Sequence, residues 1–320
     1  MGEDIWSESQ FIYHMVKDIL LLPLTLILVL SKKKEPIHLL QPLKDVWKFL
    51  TEAKMVFWII MFNIFVFVGV RVILYMNGFG LFDDVIAGIG FGDFFANTLY
   101  ENVGFNIDLV NFQVENLLAF STGSLFQHPI YIIPFFLTFF THSSFSHLFG
   151  NILGLFIFGR VLERKLNASK VLFLYLAIGI VSSFLRVLLD TFIFHQDAIM
   201  NGASTVVFGF IAIAIVLSPF YISYETLFPF PITILGLGAL TAELANLVGA
   251  INTGGDTIGH MIGFFSALGM IIYMYKDKLK DISLGIVFSI ITLLLSLVLF
   301  FGFGKIGLPP VELILKWVGF

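Results

Sequence analysis

Three short stretches of this sequence set polar residues and glycines among apolar ones. They are THSSFSHLFGNILG, with His142, His147 and Asn151; NGASTVVFG, with Gly202 and Ser204; and GGDTIGHMIGFFSALG, with Gly259, His260 and Gly263. A serine hydroxyl becomes a useful nucleophile when a neighbouring base takes its proton, and neutral imidazole suits that task near physiological pH. The tetrahedral intermediate that follows needs hydrogen-bond donors aimed at its oxyanion. His147 and Asn151 are four residues apart, so a helix would present both on one face. With the Ser204 backbone N–H they would form such a pocket. The residue types are those of nucleophilic acyl transfer. Taken singly, each has a plainer reading: Ser204 as a packing serine, His260 as a structural polar contact, His147 and Asn151 as ties between helices.

The composition says what kind of scaffold holds them. Of 320 residues, 58% are hydrophobic and 12% charged, and none is cysteine; the mean hydropathy is +0.97. A soluble domain carries about a quarter charged residues, so soluble, disordered and disulfide-stapled classes are excluded. The lack of cysteine removes thiolate chemistry and Cys-based zinc sites, and no HExxH motif occurs. No metal and no cofactor are expected, and a net charge of −4 argues against nucleic acid as a partner. Apolar stretches fall at 55–77, 147–162, 171–189, 204–217, 230–250, 256–275 and 282–303. Lipid forces such segments to be helical, which predicts an all-α polytopic membrane protein. The stretch 204–217 is short for a span. No signal peptide and no internal or inverted repeat is expected.

The basic residues predict the orientation. No Lys or Arg lies between Arg71 and Arg160, whereas Asp83, Asp84, Asp93, Glu101, Asp108 and Glu115 do. Lysines 32–34, 44, 48 and 54, then Arg160, Arg164, Lys165 and Lys170, then Lys276, Lys278 and Lys280 form basic clusters. Basic clusters favour the cytoplasmic side, so the loop 78–146 is expected outside, in a plasma-membrane protein. Residues 11–31 read as an amphipathic helix on the inner surface, an eighth span being the alternative. Ile130–Phe140 is too short to cross and is expected to dip into the outer interface.

Helix rise converts positions to depths. Counted from inner ends at Arg164, Ser218 and Lys276, Asn151, Ser204, His260 and His147 lie roughly 20, 21, 24 and 26 Å up. In a hydrocarbon layer about 30 Å thick, all four share one level below the outer surface. Gly255, Gly259, Gly263 and Ala267 form a small-residue stripe that permits tight helix contact beside His260, and Gly202 relieves crowding beside Ser204.

HSSFSHLFGN, GAS and GHMIGFFSALG, in this order, resemble the motifs of the rhomboid family of intramembrane serine proteases. The resemblance covers roughly residues 55–280, including the turn GRVLERKLNASK. It implies a rhomboid-like six-helix core over 55–280, preceded by a cytosolic or interfacial segment 1–54 and followed by one C-terminal transmembrane helix and tail, 281–320. It further implies cleavage of transmembrane segments of single-span membrane proteins within the lipid bilayer, by a Ser–His dyad without a third carboxylate. Carried over by motif, Ser204 is the nucleophile, His260 the base, Asn151 and His147 the oxyanion donors, and Gly202, Gly259 and Gly263 support them.

Thr205 stands where the family usually has glycine, and a β-branched residue tolerates positive φ poorly. Phe208 stands where tyrosine often stacks on the histidine, and the Trp-Arg pair common in the first outer loop is missing near Ile133. Thr205 motivates an alternative, a rhomboid-like pseudoprotease that binds client helices without cutting them.

Other polar residues have readings of their own. His142 reads as structural and Asp256 as an N-cap of the sixth span. Arg186 with Asp190 reads as an interfacial pair, Glu163 with Arg164 as a helix-end contact. Glu243 and Asn246 read either as the lining of a water-filled entrance or as cross-helix contacts. The fifth helix and the Gly254–Gly255 loop are expected to cap and gate the site. The string Gly90-Phe91-Gly92-Asp93 matches the GxGD of aspartyl intramembrane proteases but lies in the outer loop, and the sequon at Asn167 lies on the predicted inner side.

Overall fold

A computed structural model describes residues 13–15, 17, 21, 37–76, 120–122, 132–196, 198–225, 229–247 and 256–304. Its helices are α1 (Ile37–Thr51), α2 (Lys54–Met76), α3 (Ile132–Leu137), α4 (Phe145–Gly154), α5 (Arg160–Lys165), α6 (Ala168–Leu189), α7 (Ser204–Leu217), α8 (Ile232–Leu247), α9 (Thr257–Met274) and α10 (Leu279–Gly304). A π-helical turn, Leu155–Gly159, joins α4 to α5 without a break, and another, Asp190–Phe194, extends α6. Two-residue antiparallel pairs join β1 (Phe120–Ser121) to β2 (Ile199–Met200) and β3 (Ile222–Ser223) to β4 (Phe230–Pro231). Among the described residues, five spans are long and apolar enough to cross a membrane, and α7 and α8 are shorter apolar helices. Each predicted apolar stretch forms a helix over its described residues, apart from 230–231, which pair as β4, and the end residues 256 and 275. The chain is an all-α polytopic membrane protein. Most of 11–31, the loop between 77 and 119 with its Gly90–Asp93 string, Gly254–Gly255 and the tail after 304 lie outside the described residues.

The helices differ in what they face. Trp58 and Phe65 of α2, Phe173 of α6 and Val298 of α10 are exposed, as expected of side chains that meet lipid. Helix α7 is the opposite, with every residue from Val206 to Val216 buried. Its hydrophobicity runs all round, the pattern of a helix enclosed by others. It packs on α4, α6, α8, α9 and α10. At about 1.5 Å per residue a 14-residue helix is about 21 Å long, shorter than the hydrocarbon layer. With its C-terminal end at the inner surface, as the sequence predicts, its first residue, Ser204, would begin below the outer one.

Small residues bring α7 this close to its neighbours. A Cβ built on Gly263 of α9 would overlap the Thr205 carbonyl oxygen and stand 2.8 Å from Thr205 Cγ2. Gly285 of α10 meets the Val216 carbonyl in the same way, and a Cβ on Gly209 would be 3.0 Å from the Ala267 methyl. Of the predicted stripe, Gly259 and Gly263 face Thr205 and Ala267 faces Gly209.

Buried polar groups fix the remaining helices. Asn63 Nδ2 donates to the Ile59 carbonyl (2.8 Å) and to Tyr175 Oη (3.1 Å), and the Tyr175 hydroxyl donates to the Phe139 carbonyl (2.8 Å). That chain ties α2, α6 and the turn after α3. At the end of the bundle away from Ser204, buried Arg160 donates to Glu225 Oε1 (3.1 Å), Glu52 Oε2 (2.5 Å) and the Phe49 carbonyl. Glu163 is not the partner of Arg164. Its two carboxylate oxygens accept from the Met55 and Val56 N–H groups at 3.0 and 2.9 Å. The cause is the unsatisfied N–H groups at the start of α2, which attract a carboxylate; Arg164 instead reaches Tyr221, Glu52 and Glu225.

The α7–α9 contact makes a direct forecast. Gly263→Val should lower the thermal midpoint in detergent, by overpacking that costs about 1–3 kcal/mol or more. Gly269→Val, where a Cβ meets nothing within 4 Å, should leave it nearly unchanged.

Candidate active site

Ser204 opens α7 and His260 lies in the first turn of α9, and the α7–α9 contact brings them together. Ser204 Oγ is 2.7 Å from His260 Nε2. One turn beyond Ser204, Phe208 stacks on the imidazole, centroids 4.7 Å apart and planes 10° from parallel. The ring expected at this position is present and lies flat on the imidazole. His260 is 6% exposed, and Ser204 is half-buried.

The segment before Ser204 is held group by group. The Thr138 hydroxyl donates to the Met200 carbonyl (2.7 Å), and the Gly202 N–H donates to the Thr138 carbonyl (2.9 Å). The Ala203 N–H donates to His142 Nε2 (3.3 Å). The β1–β2 pair and the Thr122–Ala198 bonds anchor the segment one step earlier. Gly202 takes φ +95°, a conformation that side chains rarely adopt. A Cβ there would stand 2.5 Å from His147 Nε2 and 3.2 Å from Asn151 Nδ2. The bare glycine backbone is what lets both donors reach the serine segment.

The two predicted donors meet here, as their spacing on α4 implies. Asn151 is buried, and its Nδ2 has no hydrogen-bond partner among the described residues. Such an orphan costs about 1–3 kcal/mol unless something bonds to it, as a developing oxyanion would. His147 Nδ1 is 3.2 Å from Ser143 Oγ, which leaves Nε2 on the Gly202 side. The first N–H groups of any α-helix lack intrahelical acceptors, so the start of α7 adds the Ser204 N–H and a positive dipole end.

Several expectations change. Thr205 does not meet the positive-φ problem: it lies inside α7, and Gly202 alone among the described glycines has a positive φ. The extra bulk of Thr205 is taken up by the missing side chain at Gly263. Asp256 stands in the N-cap position of α9 but makes no side-chain cap bond. Its Oδ2 lies 3.4 Å from Arg186 Nε, because that buried guanidinium needs a second carboxylate beside Asp190 at 3.1 Å. Glu243 makes a cross-helix contact, its Oε2 2.9 Å from His260 Nδ1. Polarity within an apolar span singled out Glu243 in the sequence, but its partner depends on how α8 packs. Thr138 carried no signal at all. The side chain of Asn246 lies outside the described residues.

A helical bundle of spans with a serine and a histidine joined below its rim defines an integral multi-pass membrane protein built around a buried polar site. Residues 131–277 match the family model for the rhomboid domain. That stretch is similar to the rhomboid domain, whose family is mostly serine intramembrane proteases acting on transmembrane substrates within the bilayer. No curated protein matches the chain.

His142 ties the site to pH. It precedes the Phe145–Lys165 span, is 3% exposed, and lies 3.2 Å by Nδ1 from the Phe140 carbonyl while Nε2 accepts from Ala203. Those two partners specify the neutral ring with its proton on Nδ1. Burial, and then the neighbouring His147, hold its pKa down to about 3. The unfolded chain therefore binds the proton first as pH falls. The associated stability is intact above about pH 6.5 and is lost progressively toward about pH 3. Thermal midpoints measured across that window should fall with acid, the His142 part being at most about 1.4 kcal/mol per pH unit. His142→Gln, which keeps a donor and an acceptor but does not titrate, should flatten the slope.

Proposed function

We propose that this protein is an intramembrane serine endopeptidase that cleaves transmembrane segments of single-span membrane proteins. The observation that carries the reading is the 2.7 Å contact between Ser204 Oγ and His260 Nε2 inside an apolar bundle. Ser204 Oγ attacks the scissile carbonyl carbon as its proton passes to His260 Nε2. Asn151 Nδ2, His147 Nε2 and the Ser204 N–H receive the oxyanion. The tetrahedral intermediate collapses with breakage of the C–N bond, and the imidazolium gives its proton to the departing amine. Water then hydrolyses the acyl-enzyme, its proton taken by the same nitrogen.

In this reading the catalytic unit is 55–280, with 1–54 and 281–320 as additions on either side. The bias of basic residues supports a plasma-membrane orientation with the 78–146 loop, and hence the serine end of α7, on the outer side. A substrate helix would have to unwind near that end, since an intact helix shields its backbone carbonyls. The pseudoprotease alternative drew on Thr205. The fit of that residue against Gly263 removes the steric ground for it, and experiment decides between the two.

Purified protein in detergent should label with a fluorophosphonate, and labelling should vanish in Ser204→Ala and fall at least about a thousandfold in His260→Ala. Absence of wild-type labelling in folded protein would favour the client-binding alternative. Asn151→Ala should lower kcat for a transmembrane reporter by about 10²–10³-fold with the fold intact, measured by gel-based cleavage in proteoliposomes.

A further inference from the structure

The family pattern supplies two catalytic side chains, and the structure brings up a third ionisable one. Glu243 of α8 is 7% exposed, and its Oε2 lies 2.9 Å from His260 Nδ1, on the side of the ring opposite Ser204. The oxygen sits off the N–H axis, so the contact is an ion-pair distance and not an aligned hydrogen bond. Both atoms are buried, and neither has an aligned hydrogen-bond partner elsewhere among the described residues. Ser204 and Phe208 of α7 also face the imidazole, and His147 of α4 is near enough to interact with it electrostatically. Asp256, on the same helix as His260, is engaged by Arg186 of α6.

We infer that Glu243 is a positioning residue that keeps the His260 proton on Nδ1, making the site a Ser204–His260–Glu243 triad in place of a dyad. A neutral imidazole carries one proton. If it sits on Nε2, that nitrogen cannot take the proton of Ser204. A carboxylate beside Nδ1 selects the productive tautomer and steadies the imidazolium that forms during attack. Phe208 stacking fixes the plane of the ring but bears on both nitrogens alike, whereas the Glu243 carboxylate lies beside Nδ1 alone. The carboxylate comes from α8, so the reactive tautomer depends on how that helix docks against α9.

The inference rests on the hydrolase reading for its catalytic consequence, yet the tautomer can be measured without turnover. Full-length protein with ¹⁵N-labelled histidine, reconstituted in lipid, is compared with Glu243→Gln and Glu243→Asp, and the His260 signals are identified by their loss in His260→Ala. The wild type should show the Nδ1–H tautomer, the Gln variant a shift toward Nε2–H, and the Asp variant a partial return. In parallel, reporter cleavage by Glu243→Gln should lose about 10²–10⁴-fold in kcat with KM nearly unchanged, and Asp should recover part of it. An Nε2–H tautomer in the wild type overturns the proposal, even if the Gln variant does not fold. So does a Gln variant with unchanged tautomer and unchanged kcat, which would leave the hydrolase reading standing. A wild type inert to fluorophosphonate but with the expected tautomer shift overturns the hydrolase reading and leaves the positioning contact in place.

Discussion

A proton can pass between Ser204 and His260 because two helix backbones come closer than one methyl group would permit. The contact between Gly263 and the Thr205 carbonyl sets that separation, and the 2.7 Å Oγ–Nε2 distance follows from it. In hydrocarbon no hydrophobic force pulls helices together, so their association relies on close packing and on polar contacts. Helix α7 takes this furthest. It is buried from Val206 to Val216 and, at 14 residues, is shorter than the apolar layer is thick. The first hydroxyl of this buried helix, that of Ser204, has an imidazole as its neighbour, and the Asn151 amide lies close to Gly202 just before it.

Charge is confined to the two ends of this bundle. At the serine end, Arg186 joins Asp190 of its own helical run to Asp256 at the start of α9. At the far end, Arg160 gathers Glu52 and Glu225 while Glu163 closes the start of α2. Breaking a buried ion pair by removing one partner typically costs about 3–5 kcal/mol, a magnitude that applies between elements to the enclosed Arg160–Glu225 pair; the more exposed Glu52 and Asp256 hold more weakly. The Arg186–Asp256 contact bears most directly on the site. It fixes where α9 begins, and therefore the depth at which His260 meets Ser204.

Much of this was legible in the sequence because a membrane simplifies the reading. Apolar length gave the spans, rise per residue gave matching depths for Asn151, Ser204 and His260, and the glycines marked where helices approach. What was not legible depended on tertiary contact. Glu243 stood out as a carboxylate in an apolar span, but nothing local links it to a histidine seventeen positions on. Asp256 has the local signature of a cap, and a buried arginine from another helix outbid the backbone for it. Glu163 has an arginine as its chain neighbour, yet the N–H groups of a distant helix hold it. Thr205 looked awkward because the positive φ was assigned one turn too late; the backbone takes it at Gly202.

Gly202 carries a consequence for inheritance. Its φ of +95° strains any side chain placed there, and the nearby His147 ring crowds a Cβ, so the position strongly favours glycine. Any single-base change that alters a glycine codon introduces a side chain or a stop. Alleles at this codon should therefore divide into synonymous ones and damaged ones, with no graded series between them. Natural variation at this codon is therefore a gauge of whether a population still needs the site.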